Sequence, residues 1–234
     1  MTRVPDPLEA ARRLAAEFFP DATWVILSGS VLTSARTDGS DLDLVVLLPE
    51  GSPEVPRRES LYYAGWPVEL FLHDTASLDH YLAKELPGRR PVMNRMIAQG
   101  TPVTGDPGSL RTDCQRILAA GPGSLTAAET DSLRYALTDL LDDLTHASPD
   151  ERPVIATVLW LRTADATLGL HRHWIGTGKW MLRELRDHDP QYAAQWLAAQ
   201  TDLDQLTALA RQALALAGGP LFAGYRVQGE RPPS

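Results

Sequence analysis

The 234-residue chain holds a single cysteine, Cys114. No intrachain disulfide can form from it, and no cysteine-built zinc cage. Long apolar runs are missing as well. The longest aliphatic stretch, LVVLL at 44–48, falls far short of the roughly 20 residues that span a bilayer. The opening MTRVPDPLEA lacks the apolar centre of a signal peptide, so no membrane association is expected and the expected location is cytoplasmic. Basic charge is scarce: 22 Lys and Arg against 30 Asp and Glu leave a net charge of −8. That excludes extended nucleic-acid binding through a broad basic face. The His-Glu-x-x-His metalloprotease signature is absent. GTGK at 176–179 is no Walker A loop either, since its glycines are two residues apart and Trp180 stands where Ser or Thr is needed.

What remains is an ordinary globular composition, 44% hydrophobic and 22% charged. Leu8, Ala11, Leu14, Ala15 and Phe18 recur at helical spacing behind Pro7 and predict a helix ending before Pro20. Apolar runs predict strands at Trp24–Leu27, Leu42–Leu48 and Trp66–His73, with a Pro- and Gly-rich loop at 49–56. Helices are expected near Ser77–Leu86 and Pro91–Gln99, and a short strand and turn at 101–108.

Beyond GPGS at 121–124 the pattern turns helical. Thr126 and Glu129 form a capping box opening a helix to about Ala147. Ser148-Pro149 opens the next, with Val154, Val158, Leu161 and Leu168 expected to face inward. Further helices fit Lys179–Asp187, Pro190–Ala199 and Asp202–Ala217, and a last strand fits Gly224–Gln228. The expected fold is therefore α/β or α+β over residues 1–121, followed by an all-α helical bundle over 122–234.

The informative stretch is SGSVLTSARTDGSDLDLVVLL at 28–48. Asp is depleted in strands and costly to bury, yet Asp41 and Asp43 open a strand and point to one face by its period of two. Two like charges side by side need something positive between them. A magnesium ion, which prefers carboxylate and phosphate oxygens, meets that need. Glu69 completes the set if its strand pairs beside theirs. Three such carboxylates suit two-metal transfer of a phosphoryl-type group. Gly29-Ser30 follows a strand as a small-residue turn, where backbone N–H groups and the Ser30 hydroxyl can meet an anion.

Gly29-Ser30, the twelve-residue step from Gly29 to Asp41, Asp41-Leu42-Asp43 in a strand and the later strand acid Glu69 together resemble the polymerase-beta-type nucleotidyltransferase superfamily. The likeness is nearest to small bacterial antibiotic nucleotidyltransferases of the aminoglycoside and lincosamide type. It covers residues 24–73, and the helical half is similar in architecture only. The resemblance implies a nucleotidyltransferase domain with a mixed sheet. It implies nucleotide phosphates at Gly29 and Ser30, one or two Mg²⁺ ions at Asp41, Asp43 and Glu69, and Glu69 as third ligand or as base. It implies a nucleoside triphosphate co-substrate, ATP first among them, and a hydroxyl-bearing small-molecule acceptor, with an antibiotic one candidate. A homodimer that completes the active site, as in some members, stays open. The chain departs from many members in carrying Ser34-Ala35 after the Gly-Ser pair and delaying the next glycine to Gly39, which implies a different loop path.

Two readings compete with this one. A stand-alone nucleotidyltransferase of toxin–antitoxin type would modify a protein side chain, and a nucleotide-binding module would bind without catalysis. In the helical half, Lys179 starts a helix beside glycines, where a basic residue of many relatives meets the triphosphate; its plain alternative is a solvated lysine. Asp165 lies one turn after Arg162, either as an ion pair or as an acceptor-side carboxylate. His171 and His173, two residues apart, would not share a helix face and make a poor metal pair. Arg89, Arg90 and Arg95 read as solvated surface.

Overall fold

The computed structural model describes residues 5–229. The chain divides between Gly121 and Pro122 into two compact units. The first is built on a five-stranded mixed sheet of order β3-β4-β2-β1-β5. Its strands are β1 (Trp24–Ser28), β2 (Leu42–Leu47), β3 (Arg57–Tyr63), β4 (Trp66–His73) and β5 (Thr101–Thr104). Only β2 and β4 pair in parallel; the other neighbours are antiparallel.

Strand periodicity sorts this core into two layers. Leu42, Leu44 and Val46 of β2, with Val25 and Leu27 of β1 and Leu70 and Leu72 of β4, pack with Ala10, Ala11 and Leu14 of helix α1 (Pro7–Phe18). The alternate residues Val45 and Leu47, with Trp24 and Ile26, pack on the other side. There they meet Leu78 and Leu82 of α2 (Thr75–Glu85), Met93, Met96 and Ile97 of α3 (Val92–Gln99) and Cys114 of α4 (Ser109–Ala120). Burying each such leucine contributes on the order of 2 kcal/mol, so the register of β2 is strongly held: a one-residue slip would put both aspartates under α1.

Strand β3 and helix α4 were not anticipated. The β3–β4 hairpin closes Tyr63 on Trp66 through Ala64 and Gly65, at φ +50° and +88°. Two positive angles in a two-residue loop suit the twist of the flanking strands.

The second unit contains α5 (Ala127–His146), α6 (Arg152–Leu170), α7 (Lys179–His188), α8 (Pro190–Ala198) and α9 (Leu203–Leu216). The Thr126–Glu129 capping box opens α5 as expected. Its core joins Leu137, Leu159, Leu168, Leu185, Trp196, Leu206 and Leu214. Two expectations are corrected. Val154, Val158 and Leu161 are exposed, at 66%, 41% and 41%, and only Leu168 of that set is buried. Residues 224–228 form no strand; Tyr225 instead stacks on Tyr135, ring centroids 4.2 Å apart. Among the described residues no helix is long and apolar enough to cross a membrane.

Candidate metal and nucleotide site

The pairing of the strands decides where the acids fall. Asp43 is in register with Ser28 on β1 and with Glu69 on β4, and Glu69 is in register with Ser60 on β3. Residues in register share a face, so Ser28, Asp43, Glu69 and Ser60 form one row across four strands. Asp41, just before β2, projects to the same face one pleat earlier. The next pleat inward holds Val45, covered by the helical layer. The cover stops between Val45 and Asp43, which is half-buried, as are Asp41 and Glu69.

The three carboxylates converge. One ligand oxygen from each of Asp41, Asp43 and Glu69 lies within 4.8 Å of the others. That spacing, with oxygen donors alone, fits a hard divalent cation such as Mg²⁺. Arg58 of β3 donates from Nη2 to Glu69 Oε2 at 2.7 Å. Three carboxylates set this close repel one another, which favours a cation among them.

Residue 29 completes the cradle. Gly29 sits at φ +89°, ψ −172°, a backbone region reserved almost wholly for glycine. A Cβ there would run into Asp43 Oδ2. Glycine therefore lets the turn after β1 approach the aspartate strand. A single 3₁₀ turn follows, Ser30–Leu32.

Ser30 and Ser40 are both buried, and their hydroxyl oxygens lie 3.1 Å apart. Ser40 Oγ also accepts from the Thr37 N–H, and Thr33 Oγ1 donates to the Ser30 carbonyl. These bonds tie the Gly29-Ser30 turn to the residue preceding Asp41. Ser40 was missed from sequence, where it reads as one of several loop hydroxyls. Arg58 was missed with its strand.

Lys179 and Asp165 belong to the helical unit. Lys179 is the first residue of α7 and exposed. Asp165 is half-buried on α6, on the face of the exposed Val154, Val158 and Leu161. Arg89 departs from its expected place, being buried at 8% exposure with φ +56°.

No family model matches this chain, and no curated protein matches its sequence. Among solved structures, it is similar to the nucleotidyltransferase-like protein of Exiguobacterium sibiricum 255-15. The identity is 15%, the match covers 90% of this chain and 73% of that one, and the TM-score is 0.42.

Proposed function

We propose that the chain is a metal-dependent nucleotidyltransferase that moves a nucleoside monophosphate, AMP from ATP in the leading reading, onto a hydroxyl of a small molecule. The observation that carries this reading is the convergence of Asp41, Asp43 and Glu69 from two paired strands, against a glycine whose missing Cβ makes room for Asp43. One or two Mg²⁺ ions held by these acids would supply charge neutralisation for a triphosphate and its departing pyrophosphate.

The chain's own residues do the rest. Gly29 brings backbone close to the triphosphate. A hydroxyl has one donor and two acceptor sites, so Ser30 can donate to a phosphate oxygen while accepting from Ser40. Asp41 and Asp43 would hold the cation that draws the phosphates to the strand ends. The acceptor oxygen forms its bond to the α-phosphorus in line as the α–β bridging bond breaks and pyrophosphate leaves. The hydroxyl proton passes to a carboxylate, Glu69 in this reading. Positioning and preorganised charge supply most of the acceleration. An antibiotic is one acceptor of the required kind.

The test is pyrophosphate release from each α-labelled nucleoside triphosphate against a panel of hydroxyl-bearing antibiotics and natural-product intermediates. Asp41→Asn and Asp43→Asn are expected to abolish transfer while melting as the parent does. Unchanged turnover in either variant removes the mechanism. Label on a protein band would favour the protein-modifying reading. Magnesium-dependent nucleotide binding without pyrophosphate release would favour the binding module.

A further inference from the structure

Arg58 stands on an edge strand, opposite Phe71 and two residues before Ser60, the partner of Glu69. It therefore reaches diagonally across β4 to Glu69, and its guanidinium carbon lies 5.0 Å from the Phe71 ring centroid. The side chain is 63% exposed and that of Glu69 30%. A pair so open to water contributes little to stability. Its consequence is orientation. Glu69 is the longest and most freely rotating of the three acids, and a planar guanidinium resting on an aromatic face grips one of its oxygens.

We infer that Arg58 is the positioning residue of the metal site, a role that rests on the reading proposed above. The hydrogen bond takes Glu69 Oε2 and would leave carboxylate lone pairs for a cation held together with Asp41 and Asp43. Phe71, partly buried against the α2–α4 layer, holds the guanidinium from beneath. The same positive charge offsets part of the repulsion among three carboxylates before a cation arrives. Partners of this kind behind metal-ligating carboxylates set affinity by about 10–100-fold.

The test uses Mn²⁺ alone as the probe, with free ion followed by electron paramagnetic resonance, on the full chain and its Arg58→Ala, Arg58→Lys and Asp43→Asn variants. The parent binds, and Asp43→Asn does not. Arg58→Ala weakens Mn²⁺ binding by about 10–100-fold with an unchanged melting midpoint in the absence of metal. Arg58→Lys recovers part of the loss, because an ammonium keeps the charge but not the planar fork. Arg58→Ala binding Mn²⁺ as tightly as the parent, or more tightly, overturns the positioning role and leaves the triad reading standing. A parent chain that binds no Mn²⁺ takes both down.

Discussion

Gly29, in the turn just after β1, is fitted to Asp43 of β2: its α-carbon lies where any side chain would strike the aspartate's Oδ2. Its backbone, at φ +89°, ψ −172°, adds a penalty of about 1–3 kcal/mol for any other residue. Gly29→Ala is therefore expected to lower stability by about that amount, read as a drop of roughly 2–4 °C in melting midpoint per kcal/mol. Nucleotide transfer should fall further than stability, because the carboxylate must move. Gly39→Ala is the control. Position 39 needs no positive φ and its nearest neighbour to an added Cβ is Thr37 Oγ1 at 3.9 Å, so the change should stay within about 0.5 kcal/mol. Equal losses at 29 and 39 would remove the cradle from the account.

The acids were legible because they break a rule. Asp41 and Asp43 open a run that ends LVVLL, and charge in such a place demands a partner. The parallel pairing that brings Glu69 beside them could be stated from sequence only as a condition, since register is a tertiary fact. Strand β3 was hidden because RRESLYY is an edge strand, with alternate positions in water and no continuous apolar run to betray it. Its one signal was Ala64-Gly65 between aromatic flanks, a two-residue hairpin loop. Helix α6 misled for the opposite reason. It is apolar on nearly all sides, so periodicity could not choose between the Val154–Val158–Leu161 face and the Ala156–Leu159–Thr163 face that is buried. Arg58 and Ser40 owe their roles to pairing and could not be read before it.

Three imidazoles meet in the helical unit. Helix α6 ends at Leu170 and Arg172 takes φ +60°, so the helical-face argument does not apply beyond it. The rings of both histidines then pack on His188, at centroid distances of 4.6 and 4.5 Å. Burial first, then the charges of His173 and His171, hold the His188 pKa below the ordinary histidine range, with Asp189 opposing. The unfolded chain therefore binds this proton more tightly than the native one. Stability from His188 is full above about pH 6.5 and is lost as pH falls through that value towards the native one. His188→Gln should show a smaller fall in melting midpoint between about pH 8 and about pH 5 than the parent does. Parallel pH profiles for the two proteins would overturn this.

Cys114 is a packing residue. It is 1% exposed in the layer beneath the sheet, and burial, helped by the Asp113 charge, pushes its thiol up to about 11. The thiolate is the reactive form, so near pH 8 almost none is present. A disulfide reagent should leave the native chain unlabelled and titrate one thiol per chain once denaturant is added. Prompt labelling of the native chain would show that the layer of α2, α3 and α4 opens readily. Cys114→Ala should remove the labelling while leaving nucleotide transfer in place.

Trp160 and Trp196 lock α6 to α8. Their rings stack 3.8 Å apart at 9°, and each indole donates to the other's backbone carbonyl, Trp160 Nε1 to Trp196 O at 2.7 Å and Trp196 Nε1 to Trp160 O at 2.9 Å. The reciprocal arrangement separates two contributions. Trp160→Phe keeps a ring on Trp196 but orphans its carbonyl, at a cost of about 1–3 kcal/mol. Trp160→Ala also removes the stacked surface, which should bring the loss to about 3–5 kcal/mol. Trp160 also lines a cavity of about 300 Å³ with Arg152, Thr157 and Gln200, so the ring could serve a ligand rather than the fold. Urea titrations of both variants, set beside their nucleotide-transfer rates, decide between the two roles. A structural pair loses stability in the order given, with transfer by the folded fraction preserved. A ligand wall would show the reverse: near-parental stability in Trp160→Phe, and a raised KM for one substrate.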